Sequence, residues 1–178
     1  MNIYLDNAAT TPIDPEVYEA MLPILREGFG NPSSLHSHGR KIKSHIERAR
    51  KNVAKHLNCS PGELFFTSGG TEADNMAIRC AVRDLGVKHI VTSKIEHHAV
   101  GHTVNKLIKR GKVDVSFVKL DKKGHVDLVH LDELLSSFPN SLVSLMHANN
   151  EIGNLLPIEK VSMICKKHSA FFHSDTVE

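Results

Sequence analysis

The chain has no tryptophan, and aromatic residues make up only 5% of its 178 positions. A base-stacking platform for single-stranded nucleic acid is therefore not expected. No apolar run approaches the ~18 residues of a membrane span, and the opening MNIYLDNAATTP lacks the basic and apolar regions of a signal peptide. Neither charge sign dominates: 22 Lys and Arg face 20 Asp and Glu, a net charge of +2. That balance points away from nucleic acid and from acidic membrane surfaces. Cysteine is scarce. Cys59, Cys80 and Cys165 lie far apart with no CxxC pair, which argues against a disulfide framework and fits a reducing, cytoplasmic setting. Small buried hydrophobes are the simplest reading of all three.

What remains is an ordinary globular composition, 40% hydrophobic and 24% charged, in a length that suits one domain. Short apolar runs at 3–5, 64–67, 90–92, 113–118, 142–146 and 170–173 read as strands. Between them lie amphipathic helical patterns at 15–26 (with Pro23 expected to kink it), 37–57, 71–85, 97–110, 131–137 and 158–168. The second of these repeats Ile42, Ile46, Ala49, Val53 and Leu57 at helical spacing. Strands alternating with helices predict an α/β protein with a mostly parallel sheet in a three-layer αβα arrangement. The final pattern is a strand, AFFH, with no covering helix after it, so a partial domain is expected.

Four stretches carry chemistry. In LFFTSGGTEADNMAI a strand runs through Gly69-Gly70-Thr71 into an acidic helix. Glycines there turn backbone amides toward an anion, and the helix N-terminus adds partial positive charge. Neither a Walker lysine nor a GxGxxG pattern is present, and a plain glycine turn capped by Thr71 explains the stretch equally well. In TSKIEHHAVGH a strand leads to His97, His98 and His102. The i, i+4 pair His98 and His102 suits a metal only weakly, because no third ligand is evident. His97, at a helix start beside a strand tip, suits acid/base work or stacking on a ring. LVSLMHANNEIG ends a strand in Asn149-Asn150, amides that either bind a carboxylate or phenolic oxygen or form an Asx turn. Finally, Asp175 follows the last strand, where a carboxylate can hold a protonated ring nitrogen. An anion cup, a histidine, an amide and a carboxylate, all at strand C-termini, together describe pyridoxal phosphate.

YLDNAATTP, FGNPSSLHSHG, FFTSGGTEADNMAI, SKIEHHAV and MHANNEIG, in this order, resemble the N-terminal half of the cysteine desulfurases, within the class V aminotransferase group. The resemblance covers essentially the whole chain. It implies part of the large domain of the aspartate-aminotransferase fold over residues 1–178, without the second half of that domain or the small C-terminal domain. It implies a PLP-dependent homodimer that converts L-cysteine to L-alanine and passes sulfur to an acceptor or scaffold protein, for iron–sulfur cluster or thio-cofactor synthesis. By position, Gly70 and Thr71 would bind the phosphate. His97 would stack on the ring and transfer protons. Asn150 would contact the cofactor near its phenolic oxygen, and Asp175 would pair with the ring nitrogen. Glu178 falls among the cofactor-binding positions, where the family usually has a glutamine donating to the phenolic oxygen. An ionised glutamate only accepts hydrogen bonds. The family's Schiff-base lysine and sulfur-accepting cysteine belong to its second half, and neither Lys94 nor Cys165 matches their motifs. The chain alone is therefore expected to be inactive. The other readings are a different class V PLP enzyme, such as a selenocysteine lyase or an aminotransferase, and a non-catalytic or split-enzyme module.

Overall fold

The computed structural model describes residues 3–177. The chain divides into two compact units, Met1–Phe66 and Thr67–Glu178. In the first, helix α1 spans Pro15–Glu27 and α2 spans Ser37–His56. Asp14 caps α1 by accepting from the Glu16 amide at 2.8 Å, and Pro15 at the first helical position forfeits an amide that has no helical acceptor there. The helix runs on through Pro23. The loop between the helices curls onto the start of α2. A Cβ at Gly39 would fall 2.5 Å from the carbonyl oxygens of both Asn31 and Ser34, so only glycine fits.

The second unit is the α/β layer. Helix α3 (Gly70–Asp84) precedes β1 (His89–Thr92), α4 (His98–Lys109), β2 (Asp114–Phe117), α5 (Leu128–Ser137), β3 (Leu142–Ser144), α6 (Ile158–Lys167) and β4 (Phe171–His173). The strands pair in the order β2-β1-β3-β4, every pair parallel. Successive side chains on a strand point to opposite faces, and this splits the core in two. Ile90 and Leu142 meet Ile78 and Ala81 of α3 and Val100, Val104 and Leu107 of α4 on one face. Val91 and Val143 meet Leu131 and Leu135 of α5 and Val161 and Cys165 of α6 on the other. This is the expected three-layer α/β arrangement.

Two expected strands are absent. Residues 3–5 and 64–67 form no regular element, and Leu5 and Phe65 are 90% and 70% exposed. Apolar composition marks a segment that would pair in a sheet, but a strand exists only with a ladder partner, and neither segment has one among the described residues. Helix α5 starts three residues earlier than the apolar pattern suggests. The Asp127 side chain accepts from the amides of Val129 and His130, each at 3.0 Å, and sets the start there.

From β1 the chain passes through α4 to β2 on one side. It then crosses back to β3 and on to β4 on the other side. The order of strands therefore reverses between β1 and β3. In open parallel sheets the crevice at such a point, beyond the strand C-termini, is where ligands bind.

Candidate functional site

Three segments leave the C-terminal ends of β1, β3 and β4 and meet the first turns of α3 and α4. Backbone pairing continues past β3: Leu145 donates to His173 O at 3.2 Å and His147 to Asp175 O at 2.8 Å. This fixes Asp175, only 8% exposed, as an extension of the sheet.

At the start of α3, the amides of Glu72 and Ala73 turn back to Gly69 O. The Glu72 carboxylate folds onto Ser68, accepting from its amide at 2.7 Å and its hydroxyl at 2.6 Å, and these bonds hold its pKa below the usual range. The amides of Gly70 and Thr71 have no acceptor among the described residues, as expected of the first amides of a helix. A Cβ at Gly70 would fall 2.6 Å from Cγ2 of Val177, so the segment carrying Asp175 lies directly against this turn.

His97 caps α4. Its Nδ1 accepts from the Ala99 amide at 3.2 Å, which puts the proton of a neutral ring on Nε2. The ring is exposed. His98 and His102 stack on one another at 5.3 Å; among the described residues no three His, Cys, Asp or Glu are grouped to hold a metal ion. The two asparagines separate cleanly. Asn149 is buried and fully engaged: Nδ2 donates to Ile95 O at 2.7 Å, and Oδ1 accepts from the amides of Glu151 and Ile152. It is the Asx turn. Asn150 is exposed, with its amide free, and lines a cleft of about 230 Å³ with Lys94, Glu96, His97 and Glu151. The structure thus gathers Gly70, Thr71, His97, Asn150 and Asp175 at one end of one sheet. Glu178 lies outside the described residues.

Sequence reasoning missed three members of this cluster. Asp74 of α3 is 4% exposed. Its Oδ1 lies 3.4 Å from His173 Nε2, and its Oδ2 is buried with no hydrogen-bond partner among the described residues. Burial, and then the Asp175 carboxylate beside it, push its pKa up to about 6. Glu96 accepts from Ser93 Oγ at 2.6 Å and from the Met146 amide at 2.9 Å, tying the β1 loop to the β3 loop. Burial raises its pKa to about 7 despite those bonds, and Asp175 and Asp74 push the same way. His173 Nδ1 lies 3.0 Å from Ser144 Oγ, and burial lowers its pKa. A signal for Asp74 was present: it shares a helix face with Ile78 (i+4) and Ala81 (i+7), both core residues. Glu96 and His173 carry no comparable mark.

Residues 3–178 match the family of class-V aminotransferases. Similar proteins include a cysteine desulfurase, IscS, of Dictyoglomus turgidum, 47% identical over 99% of this chain and 45% of that protein. A putative cysteine desulfurase, IscS 1, of Bacillus subtilis is 45% identical over 99% of this chain and 46% of that protein. The chain spans a little under half the length of these relatives. Among solved structures, a NifS-like protein superposes with a TM-score of 0.93 at 40% identity, covering 100% of this chain and 50% of that one. SspA in complex with cysteine does so with a TM-score of 0.87 at 34% identity, covering 96% and 49%.

Proposed function

The chain belongs to the class-V aminotransferase family, and from that premise we propose that it forms the cofactor-holding part of a PLP-dependent cysteine desulfurase. In this reading residues 1–178 are part of the large domain. The enzyme acts as a cytoplasmic homodimer, converts L-cysteine to L-alanine and hands sulfur to an acceptor or scaffold protein.

One observation carries the reading. Unpaired amides suited to a phosphate and a buried carboxylate suited to a ring cation stand at the same sheet end, and Val177, two residues past Asp175, packs on Gly70. The donor set fits PLP for that reason. The Gly70 and Thr71 amides would bind the phosphate, helped by the α3 dipole. Asp175 would hold the proton on the ring nitrogen, since an adjacent anion favours a cation. His97, with Nδ1 engaged at the helix cap, would offer its Nε2 edge to hold or pass a proton beside the ring. Asn150 would donate to the phenolic oxygen or the substrate carboxylate. Glu178 stands where the family's donor amide would be, and an ionised carboxylate there supplies no donor. Bound in this frame, PLP would supply an electron sink for the α-carbon of the amino acid.

The test is titration with PLP, followed by absorbance, with inorganic phosphate as competitor, and then alanine formation from cysteine by the complete loaded protein. Phosphate should compete, and Asp175→Asn should cut alanine formation by roughly 10²-fold or more, the scale of losing one electrostatic group in a desolvated site. Absence of PLP binding, or alanine formation unaffected by Asp175→Asn, overturns the proposal.

A further inference from the structure

Two buried carboxylic acids stand at this sheet end, Asp74 on α3 and Asp175 after β4, close enough for the charge of Asp175 to bear on Asp74, and only Asp175 has a role in the reading above. Asp74 approaches it from α3, almost fully buried. One Asp74 oxygen, Oδ1, is met by His173 Nε2 at 3.4 Å, while the other, Oδ2, is buried without a partner among the described residues. His173 in turn meets Ser144 Oγ at 3.0 Å through Nδ1. Burial favours neutral His173, and a neutral ring donates from one nitrogen and accepts at the other. Ser144 Oγ–H then donates to Nδ1, and the Nε2–H edge faces Asp74 Oδ1 at 3.4 Å without a hydrogen bond between them. This leaves Oδ2 as the oxygen that must either stay unsatisfied or carry a proton. A buried acceptor left unsatisfied costs ~1–3 kcal/mol; a protonated Oδ2 becomes a donor, with the Asp175 carboxylate beside it.

We propose that Asp74 and Asp175 are a carboxyl pair sharing one proton, carried on Asp74 Oδ2, with Asp74 as a positioning residue that orients the Asp175 carboxylate. The His173 Nε2 edge, 3.4 Å from Oδ1, favours negative charge on Oδ1 and so the proton on Oδ2. The other ionisable groups facing the pair are Glu96 from the loop after β1 and His97 from the start of α4. Of two neighbouring carboxyls in a poorly solvated site, the second ionises at a higher pH than the first, and the rise of Asp74 from 3.8 to about 6, led by burial and then by the Asp175 charge, agrees with this. An acid whose folded pKa lies above its unfolded value binds extra protons in the native state. Stability therefore falls as pH rises from about 4 to about 6, and the loss persists above 6. There the pair carries two charges and calls for one cation, which on the PLP reading would be the protonated ring nitrogen. That last link alone rests on the proposed function.

The experiment is carboxyl ¹³C NMR of the cofactor-free chain across pH 3–8, in wild type, Asp74→Asn, Asp74→Ala and Asp175→Asn. Wild type should show the pair titrating in two steps, the upper near 6. Asp74→Asn should abolish the step near 6 and make the fall in stability between pH 4 and 6 shallower, leaving the slope that belongs to Glu96. Asp175→Asn should lower the Asp74 midpoint by roughly one unit. With PLP added, the amide of Asp74→Asn should preserve the absorbance of the bound ring, and Asp74→Ala should not. Asp74 and Asp175 titrating together near 4, or an upper step that survives in Asp74→Asn and so belongs to Glu96, overturns the pairing. So does equal behaviour of the Asn and Ala variants. Failure of PLP to bind would sink the cofactor reading while leaving the titration to decide the pair.

Discussion

Adjacent, chemically identical residues do different work at this site, and Asn149 and Asn150 show it. The sequence offers two amides at a strand tip with no means of telling them apart. The fold separates them by burial, because Asn149 points back to Ile95 O and caps the turn with Oδ1. Asn149→Ala should lower stability by about 1–3 kcal/mol, since it strands a partly buried carbonyl and two amides. Asn150→Ala should stay within ~0.5 kcal/mol of wild type while weakening PLP or cysteine binding. Thermal unfolding of the two variants checks this, and equal losses would contradict the division. Asp175 was legible because it stands alone after an apolar strand. Glu96 was not, because an acid beside a histidine reads as solvated surface until tertiary packing removes the water, whereas Asp74 carried a mark in its place on the core face of α3. Their raised pKa values are products of that packing.

Elements were legible where periodicity and local chemistry agree. Helix α2 was readable to within a residue from its apolar spacing, and the four paired strands fall inside or within one residue of the apolar runs. The start of α5 was misplaced because the pattern counts leucines, whereas the chain obeys the Asp127 cap. Residues 3–5 and 64–67 were misread for a deeper reason. Strand propensity is satisfied only by a neighbour, and sequence does not say where a neighbour is. The loop before α2 and the first turn of that helix have a packing role. Gly39 sits where a Cβ would meet two backbone carbonyl oxygens at 2.5 Å, neither of which belongs to a flexible side chain. Gly39→Ala should therefore cost about 1–3 kcal/mol, the range of overpacking, although alanine is the better helix former by ~1 kcal/mol. Urea unfolding that finds Gly39→Ala neutral or stabilising would show that the loop yields instead.

For the molecule as a whole, burial is uneven. The sheet of the second unit has both faces covered, as a parallel sheet requires. Helix α1 is different: Val17, Tyr18, Met21, Ile24 and Leu25 are apolar, yet none of its residues is buried. Phe29, Leu35, Phe65 and Met163 are each at least 70% exposed. Singly exposed apolar residues are normal, but an apolar stripe along one helix, as on α1, marks an interaction face. The relatives are about twice as long, so the faces bare here have the chemistry to meet further polypeptide, in the same protein or in a second copy. Edge strands β2 and β4 add unpaired backbone groups that can template association. A stable interface needs ~800 Å² per partner, and the α1 stripe together with residues 64–66 supplies apolar side chains for one. The 178-residue chain should therefore bind a hydrophobic dye and show a scattering mass that rises with concentration over the micromolar range. Adding 0.5 M salt should not reverse this, because the force is apolar rather than ionic. A concentration-independent monomer that leaves the dye dark would mean that α1 and the 64–66 segment cover their own apolar side chains in solution.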